Sequence, residues 1–149
     1  MAEFRDSIEI EAAPEAVFDH LVTADGLTVW LGRNADVDAV PGGRFAADVA
    51  GYPVRGEYLV VERPARVVLT WGFAGNDDLP PGASTVEVRL TPTATGTRVD
   101  LCHHGLPETE VPGHADGWGH FLPRLARAGT GEDPGPSAWL PAPDLPGDA

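Results

Sequence analysis

The chain has 149 residues, which is the length of about one domain, and it carries 23 acidic and 10 basic residues for a formal net charge of −13. This charge repels the phosphate backbones of nucleic acids and anionic lipid surfaces, so neither is an expected partner. One cysteine, a start without a signal-peptide pattern, and no apolar run near the roughly 20 residues that span a bilayer together predict a cytoplasmic protein without disulfides.

The first elements along the chain are a strand and two short helices. Residues 4–11 alternate apolar and charged side chains, a pattern typical of a half-buried strand. Pro14 suits the first turn of a helix. Its apolar residues recur at helical spacing: Val17, Phe18, Leu21 and Val22. Thr23 or Asp25 can cap a second helix that ends at Gly32. The apolar stripe of this second helix is Leu27, Trp30 and Leu31.

Residues 35–105 predict an antiparallel meander of six strands, because apolar segments alternate with turns rich in Gly and Pro. In the last three strands, alternate positions are apolar: Val67, Leu69, Trp71, Phe73, Val86, Val88, Leu90, Val99, Leu101 and His103. The intervening positions carry charge at Glu87, Arg89, Arg98 and Asp100. One face of the sheet must therefore be covered by another layer.

The cover is predicted to be a long helix that reaches about Ala128, with Gly129 as its stop. Its apolar stripe is Val111, His114, Trp118, Phe121, Leu122 and Leu125. Pro123 should bend this helix or divide it in two, at a cost of about 3 kcal/mol. The domain is thus expected to span residues 1–128. Residues 129–149 are rich in Pro, Gly and Asp and predict a disordered or loosely docked tail, in which the Trp and Leu of residues 137–140 could dock on the domain.

Local motifs in this order resemble the START-like (SRPBCC) superfamily, and within it the Hsp90 ATPase activator homologue 1-like family, over about residues 6–128. The motifs are residues 10–18 with a Pro-Glu helix start, Gly26-Leu27 and Trp30, Gly42-Gly43-Arg44-Phe45, Gly56 with residues 62–67 and Thr70-Trp71, residues 96–106, and His114 with Gly117-Trp118. The resemblance implies a bacterial α+β protein of helix-grip fold. Such a fold has a curved antiparallel sheet wrapped on a long C-terminal helix, with two short helices after strand 1.

The superfamily resemblance leaves several functions open, because a fold does not choose among activities. We expect a non-catalytic protein that binds a small hydrophobic or aromatic molecule in a cavity between the sheet and the C-terminal helix. The alternatives are a polyketide cyclase or aromatase-like enzyme and an enediyne-type self-resistance protein. A third is a co-chaperone-like module that binds a protein partner, for instance through the tail. No cofactor is expected, and the protein should be a monomer or a homodimer.

Twelve residues are predicted as a set to line the ligand cavity, although the pattern at each single position favours a packed core residue. They are Trp30, Phe45, Tyr58, Leu69, Trp71, Phe73, Val88, Leu101, His103, Trp118, Phe121 and Leu122. Aromatic rings offer a ligand large flat contact areas. His103 is the polar residue that strand alternation points inward. It could orient a ligand oxygen, act as an acid or base near neutral pH, or be a structural histidine hydrogen-bonded to its neighbours.

Patterns for classical catalysis are absent from the sequence, which has no Gly-x-Ser-x-Gly elbow and no phosphate loop opening a helix. Metal ligands are present as residue types in His103, His104, His114, His120, Cys102 and Asp116, but strand alternation and helix periodicity place them on different faces, so no metal is expected. A cyclase could use His103, Tyr58 or Arg55 as its polar group. Self-resistance would instead need an exposed glycine, for which Gly113 and Gly117 are candidates.

Overall fold

The structure is a computed structural model that describes residues 2–135. Within this range there are seven strands, three α-helices and one short 3₁₀ turn. In chain order they are β1 Ala2–Ile10, α1 Pro14–Val22, α2 Ala24–Trp30, β2 Arg33–Val37, β3 Arg44–Val49, β4 Tyr52–Glu62, β5 Arg66–Trp71, β6 Ser84–Pro92, β7 Thr97–Leu106, the 3₁₀ turn Glu108–Glu110, and α3 Val111–Gly129.

The seven strands form one antiparallel sheet in the order β1-β7-β6-β5-β4-β3-β2. Strands β2 to β7 follow one another as the predicted meander, and β1 pairs with β7, where Phe4 lies opposite His103 and Ile10 lies opposite Thr97. Helix α3 packs against β1 and against both short helices. The predicted α+β helix-grip fold is confirmed.

The predicted strand alternation is also confirmed. The inward side chains of β5, β6 and β7 are buried, and their charged neighbours lie on the outer face: the buried set is Val67, Leu69, Trp71, Val86, Val88, Leu90, Val99, Leu101 and His103. Phe73 lies just beyond β5, where it forms an isolated bridge to Val54 and stays partly exposed. The outer surface carries ion pairs such as Arg66 with Glu87.

The two short helices begin and end as their sequences indicate. Pro14 occupies the first position of α1. Thr23, rather than Asp25, caps α2, because its hydroxyl oxygen accepts a hydrogen bond from the Gly26 N–H at 3.0 Å. Trp30 ties α2 to α1 by donating from its indole N–H to the carbonyl oxygen of His20 at 2.8 Å. The pair therefore forms a rigid corner between β1 and β2.

Helix α3 is one continuous helix across Pro123, so the expected division into two pieces does not occur. A proline at this position deprives the carbonyl four residues earlier, that of Gly119, of its helical partner. Both Gly119 and Pro123 lie on the exposed side of the helix. Water can therefore replace the missing donor, and the buried stripe of α3 is undisturbed.

Arg124 binds α3 to its surroundings through backbone carbonyls. Its guanidinium donates to the carbonyl oxygens of Val29 at 3.3 Å, Trp30 at 3.1 Å and Gly135 at 2.7 Å. Two of these carbonyls belong to the last turn of α2, where no later residue of the helix can donate to them.

The domain boundary near residue 128 stays a prediction, and residues 136–149, with the proposed docking of residues 137–140, lie outside the described range.

Tyr58 joins the sheet to the end of α1. Its side chain is fully buried, and its hydroxyl donates to the carbonyl oxygen of Leu21 at 2.9 Å. That carbonyl is one of the last four in α1, so it has no partner within the helix. Burial raises the pKa of Tyr58, so the hydroxyl stays protonated and keeps donating.

We expect Tyr58→Phe to lower the free energy of unfolding by about 1–3 kcal/mol, because it leaves the Leu21 carbonyl buried without a donor. Urea denaturation followed by circular dichroism measures the change. Thr28→Ala, which removes an exposed hydroxyl from α2, is the control and should change stability by less than about 0.5 kcal/mol. Equal stability of Tyr58→Phe and the wild type would contradict this role for the hydroxyl.

Candidate functional site

A cleft of about 100 Å³ opens between the first half of α3 and the sheet near the ends of β3, β4 and β5. Five aromatic side chains make up most of its wall: Tyr52, Trp71, Phe73, Trp118 and Phe121. Leu31 and Val49 add aliphatic surface, and Gly113 and Gly117 expose the backbone of α3. The polar lining is Asn76, Thr109, Glu110 and His114. The cleft is therefore an aromatic slot with a polar rim on one side.

The aromatic wall is built from both layers of the fold. Trp71 ends β5, and its ring centroid lies 5.3 Å from that of Trp118 on α3 and 6.4 Å from that of Phe73. These separations and tilted or edge-on angles are the favourable arrangements of aromatic pairs. Two tryptophans from different layers thus meet at the floor of the cleft.

His103 lies behind Trp118, fully buried, and both of its ring nitrogens are hydrogen-bonded. The indole N–H of Trp118 donates to Nδ1 at 3.1 Å. Nε2 must then carry the proton, and it donates to the hydroxyl of Ser84 at 2.8 Å, which itself donates to the Trp71 carbonyl at 2.7 Å. The four groups form one hydrogen-bonded chain from α3 through β7 and β6 to β5.

His114 makes a second chain one helical turn before Trp118. Its Nδ1 lies 2.8 Å from the carbonyl oxygen of Glu110 and donates to it. Its Nε2 accepts from the indole N–H of Trp71 at 3.3 Å. The rings of His103 and His114 meet edge to face with centroids 5.0 Å apart. The two chains therefore run side by side and share Trp71.

Both histidines are held neutral. Burial, together with the smaller effects of the nearby His114 and His104, lowers the pKa of His103 to about 2. Burial also lowers the pKa of His114, while the Glu110 carbonyl and carboxylate act in the opposite direction. A neutral ring whose N–H already donates a hydrogen bond and whose other nitrogen already accepts one has no free nitrogen for acid–base chemistry near pH 7. The geometry thus favours the structural role among those considered for His103.

The twelve residues predicted to line a cavity are divided by the structure. Trp71, Phe73, Trp118 and Phe121 line the cleft. A smaller space of about 30 Å³ lies deeper in the core and is bordered by Trp30, Phe45, Leu69, Val88, Leu101 and Leu122. Tyr58 and His103 border neither space among the described residues. A binding role for the twelve stays a prediction, and the structure brings four of them together at an opening.

The sequence pattern did not indicate several of the lining residues. Asn76, Thr109 and Glu110 lie in turns, where no periodicity shows which way a side chain points. His114 belonged to the predicted apolar stripe of α3, and a polar residue in such a stripe was the available signal. Tyr52 opens β4 next to a turn, and its ring centroid lies 5.3 Å from that of Phe73.

The described residues contain no group of three or more His, Cys, Asp or Glu side chains arranged to hold a metal ion. His103 and His104 point to opposite faces of β7, the first buried and the second exposed. Cys102 lies on the outer face of the sheet, 3.8 Å from a carboxylate oxygen of Glu3, and burial raises the pKa of its thiol. Neither His104 nor Cys102 therefore lies at the cleft.

A helix-grip protein with an aromatic cleft between sheet and C-terminal helix is the class that this geometry defines. The chain belongs to the family described as activator of Hsp90 ATPase homolog 1-like protein, whose family model matches residues 11–129. Across residues 2–135, no helix combines the length and apolar character that crossing a membrane requires.

Solved structures agree with this assignment. An AHSA1-like protein from Rhizobium etli is 35% identical, with a TM-score of 0.74 over 93% of this chain and 88% of its own. CalU16 from Micromonospora echinospora is 26% identical, with a TM-score of 0.70 over 90% of this chain and 76% of its own. The Aha1 dimer from Colwellia psychrerythraea is 22% identical, with a TM-score of 0.75 over 86% and 96%. No curated protein matched the chain.

We expect the free energy of unfolding to fall steeply as the pH drops from about 6.5 to 5. The unfolded chain takes up protons on His103 and His114 below their ordinary pKa of 6.5, whereas burial lowers the pKa of both rings in the folded state, so acid favours unfolding. Each buried histidine contributes up to about 1.4 kcal/mol per pH unit in this window. Denaturant titrations at several pH values measure the slope.

The matched variants are His103→Gln and His104→Gln. His103→Gln should be less stable at pH 7 and should also flatten the slope by up to about 1.4 kcal/mol per pH unit. His104→Gln removes an exposed ring from the opposite face of β7 and should change the slope less than His103→Gln does. A wild-type stability that is level from pH 6.5 to 5 would show that the buried rings accept protons without unfolding.

Proposed function

We propose that the protein binds a small apolar or aromatic molecule in the cleft between the sheet and α3, without catalysing a reaction, in the cytoplasm. The observation that carries this proposal is the aromatic wall of the cleft, in which Tyr52 and Phe73 stay partly exposed beside the buried rings of Trp71, Trp118 and Phe121. Aromatic faces contribute large contact areas and favour flat ligands. Their placement on two different layers lets them contact a ligand from both sides.

At about 100 Å³ the cleft can enclose only part of a small ring system, so a ligand would extend out of it. Sites for drug-sized molecules have about 300–1,000 Å³, whereas an apolar cavity of about 150 Å³ is sufficient for benzene. Leu31, Trp71 and Trp118 border both the cleft and the deeper space. Rotation of the aliphatic Leu31 side chain would join the two spaces and admit a longer ligand, and it would leave the hydrogen bonds of Trp71 and Trp118 in place.

The polar groups support binding more than catalysis. The residues considered for a cyclase are all engaged elsewhere: His103 is bonded at both nitrogens, the Tyr58 hydroxyl bonds to Leu21, and Arg55 donates to the carbonyl of Val54. None of the three borders the cleft among the described residues. A ligand in the cleft would therefore meet none of these three candidate catalytic groups. A monomer or homodimer and a role of the tail in protein binding stay predictions.

Gly113 offers a sharp test of this site. A Cβ atom added at Gly113 would meet nothing within 4 Å, so a larger side chain extends into open space at the wall of the cleft. We expect Gly113→Leu to keep the fold and to reduce the binding of 1-naphthalenemethanol more than about tenfold, because the side chain takes up the ligand's volume. Quenching of Trp71 and Trp118 fluorescence reports binding, with calorimetry as the independent measurement.

Gly119→Leu is the matched control. It makes the same change on the same helix, also in open space, but Gly119 is exposed and does not border the cleft. Both variants replace a helical glycine and should gain up to about 1 kcal/mol of stability. Undiminished binding by Gly113→Leu, or an equal loss in both variants, would place the ligand elsewhere.

A further inference from the structure

We propose that the ligand of the cleft carries a cationic amine beside its aromatic body, and that the carboxylate of Glu110 recognises this amine. The inference rests on the binding function proposed above and names the chemical class of ligand. It comes from the one charged side chain among the described residues that line the cleft. The other polar lining groups are the neutral side chains of Asn76, Thr109 and His114.

Glu110 is placed at the cleft by the backbone. It ends the 3₁₀ turn and directly precedes α3, so its position is fixed relative to His114 one turn later. Its side chain is only 22% exposed. The Nδ1 proton of His114 goes to the backbone carbonyl of Glu110, and the carboxylate oxygen lies farther away, at 3.9 Å from Nδ1. The hydrogen bond from His114 therefore goes to the backbone of Glu110 and leaves the carboxylate available to a ligand.

Glu110 also differs from most partly buried carboxylates of this protein. Glu87, with the same side-chain exposure of 22%, is paired with both Arg66 and Arg89. Within residues 2–135, no arginine lies within ion-pair distance of Glu110, and the chain contains no lysine. A carboxylate withdrawn from water gains from a cation that approaches it. The open side of the cleft is where such a cation can arrive.

The aromatic wall favours the same charge. Faces of aromatic rings carry negative electrostatic potential and attract cations within about 6 Å of the ring centre, most strongly for tryptophan. Trp71, Phe73 and Trp118 present such rings around the cleft. The net charge of −13 also draws cations toward the protein and repels anions. The aromatic rings of the wall and the Glu110 carboxylate at the rim therefore both attract an aromatic amine. Both repel a ligand that carries a carboxylate.

Glu110 has a second role that the experiment must separate from recognition. A carboxylate at the start of a helix is stabilised by the helix dipole, so it also supports α3. Removing it can lower stability without any ligand. The discriminating measurement is therefore the preference between ligands of different charge, which a purely structural role does not alter.

The experiment compares three ligands with one ring system and different head groups: 1-naphthalenemethylamine, 1-naphthalenemethanol and 1-naphthaleneacetate. Binding to the full-length protein is measured by calorimetry at pH 7.5 and low salt. We expect the amine to bind about tenfold more tightly than the alcohol, and the acetate to bind most weakly. Glu110→Gln should bring the amine to the affinity of the alcohol and leave the alcohol within about twofold of wild type.

Glu108→Gln is the matched control. It removes the same charge two residues earlier in the same turn, but Glu108 is exposed and does not border the cleft. This variant should retain the preference for the amine, which excludes a general effect of net charge. Loss of the preference in Glu108→Gln, or its survival in Glu110→Gln, would overturn the role of Glu110.

The outcomes also separate this inference from the function on which it rests. If the wild type binds the alcohol and shows no preference for the amine, the cleft binds aromatic molecules and the cationic class is wrong. If none of the three ligands binds to the wild type, the proposed function fails, and the inference fails with it. A tenfold preference that only Glu110→Gln abolishes supports both.

Discussion

The site depends on two hydrogen bonds between α3 and the sheet, each of which joins an indole to an imidazole: Trp118 to His103 and Trp71 to His114. Trp118 donates to His103, which donates through Ser84 to the backbone of β5, and the indole of Trp71 at the end of β5 donates to His114. Each donor and acceptor is matched, and the bonds of His103 and Ser84 are buried, whereas those of His114 are partly buried. Leaving one of them unmatched would cost about 1–3 kcal/mol, so the arrangement has a single low-energy form. These hydrogen bonds fix the position of α3 along its axis and its rotation about that axis.

This network also decides which surfaces remain for a ligand. Both indole N–H groups and all four imidazole nitrogens are used within the protein, so what the cleft presents is mainly ring surface. The remaining polar groups lie at the rim, where Thr109 and Glu110 belong to the turn that leads into α3 and Asn76 belongs to the loop after β5. A ligand can therefore gain contact area on the floor and selectivity at the rim without breaking an existing hydrogen bond.

The sequence predicted side-chain orientation correctly where it follows from the regular period of a strand or helix. Strand alternation correctly placed Val99, Leu101 and His103 inward, and turn residues located the six strands of the meander. It could not show that His114 would meet Trp71, because that contact depends on how α3 crosses the sheet. Nor could it place Glu110, which lies in a turn. The division of α3 expected at Pro123 fails because the lost hydrogen bond falls on the solvent side, a fact that depends on helix rotation.

The cleft has its origin in the distribution of residue sizes along α3. Its second half carries Leu122, Leu125 and Ala128, which fill the core. Its first half carries Gly113 and Gly117 toward the sheet, which leave space but weaken the helix by up to about 1 kcal/mol each relative to alanine. The hydrogen bonds of His114 and Trp118 lie in this weaker half. The residues that open the cleft are thus held in helical form by the same polar contacts that orient its aromatic floor.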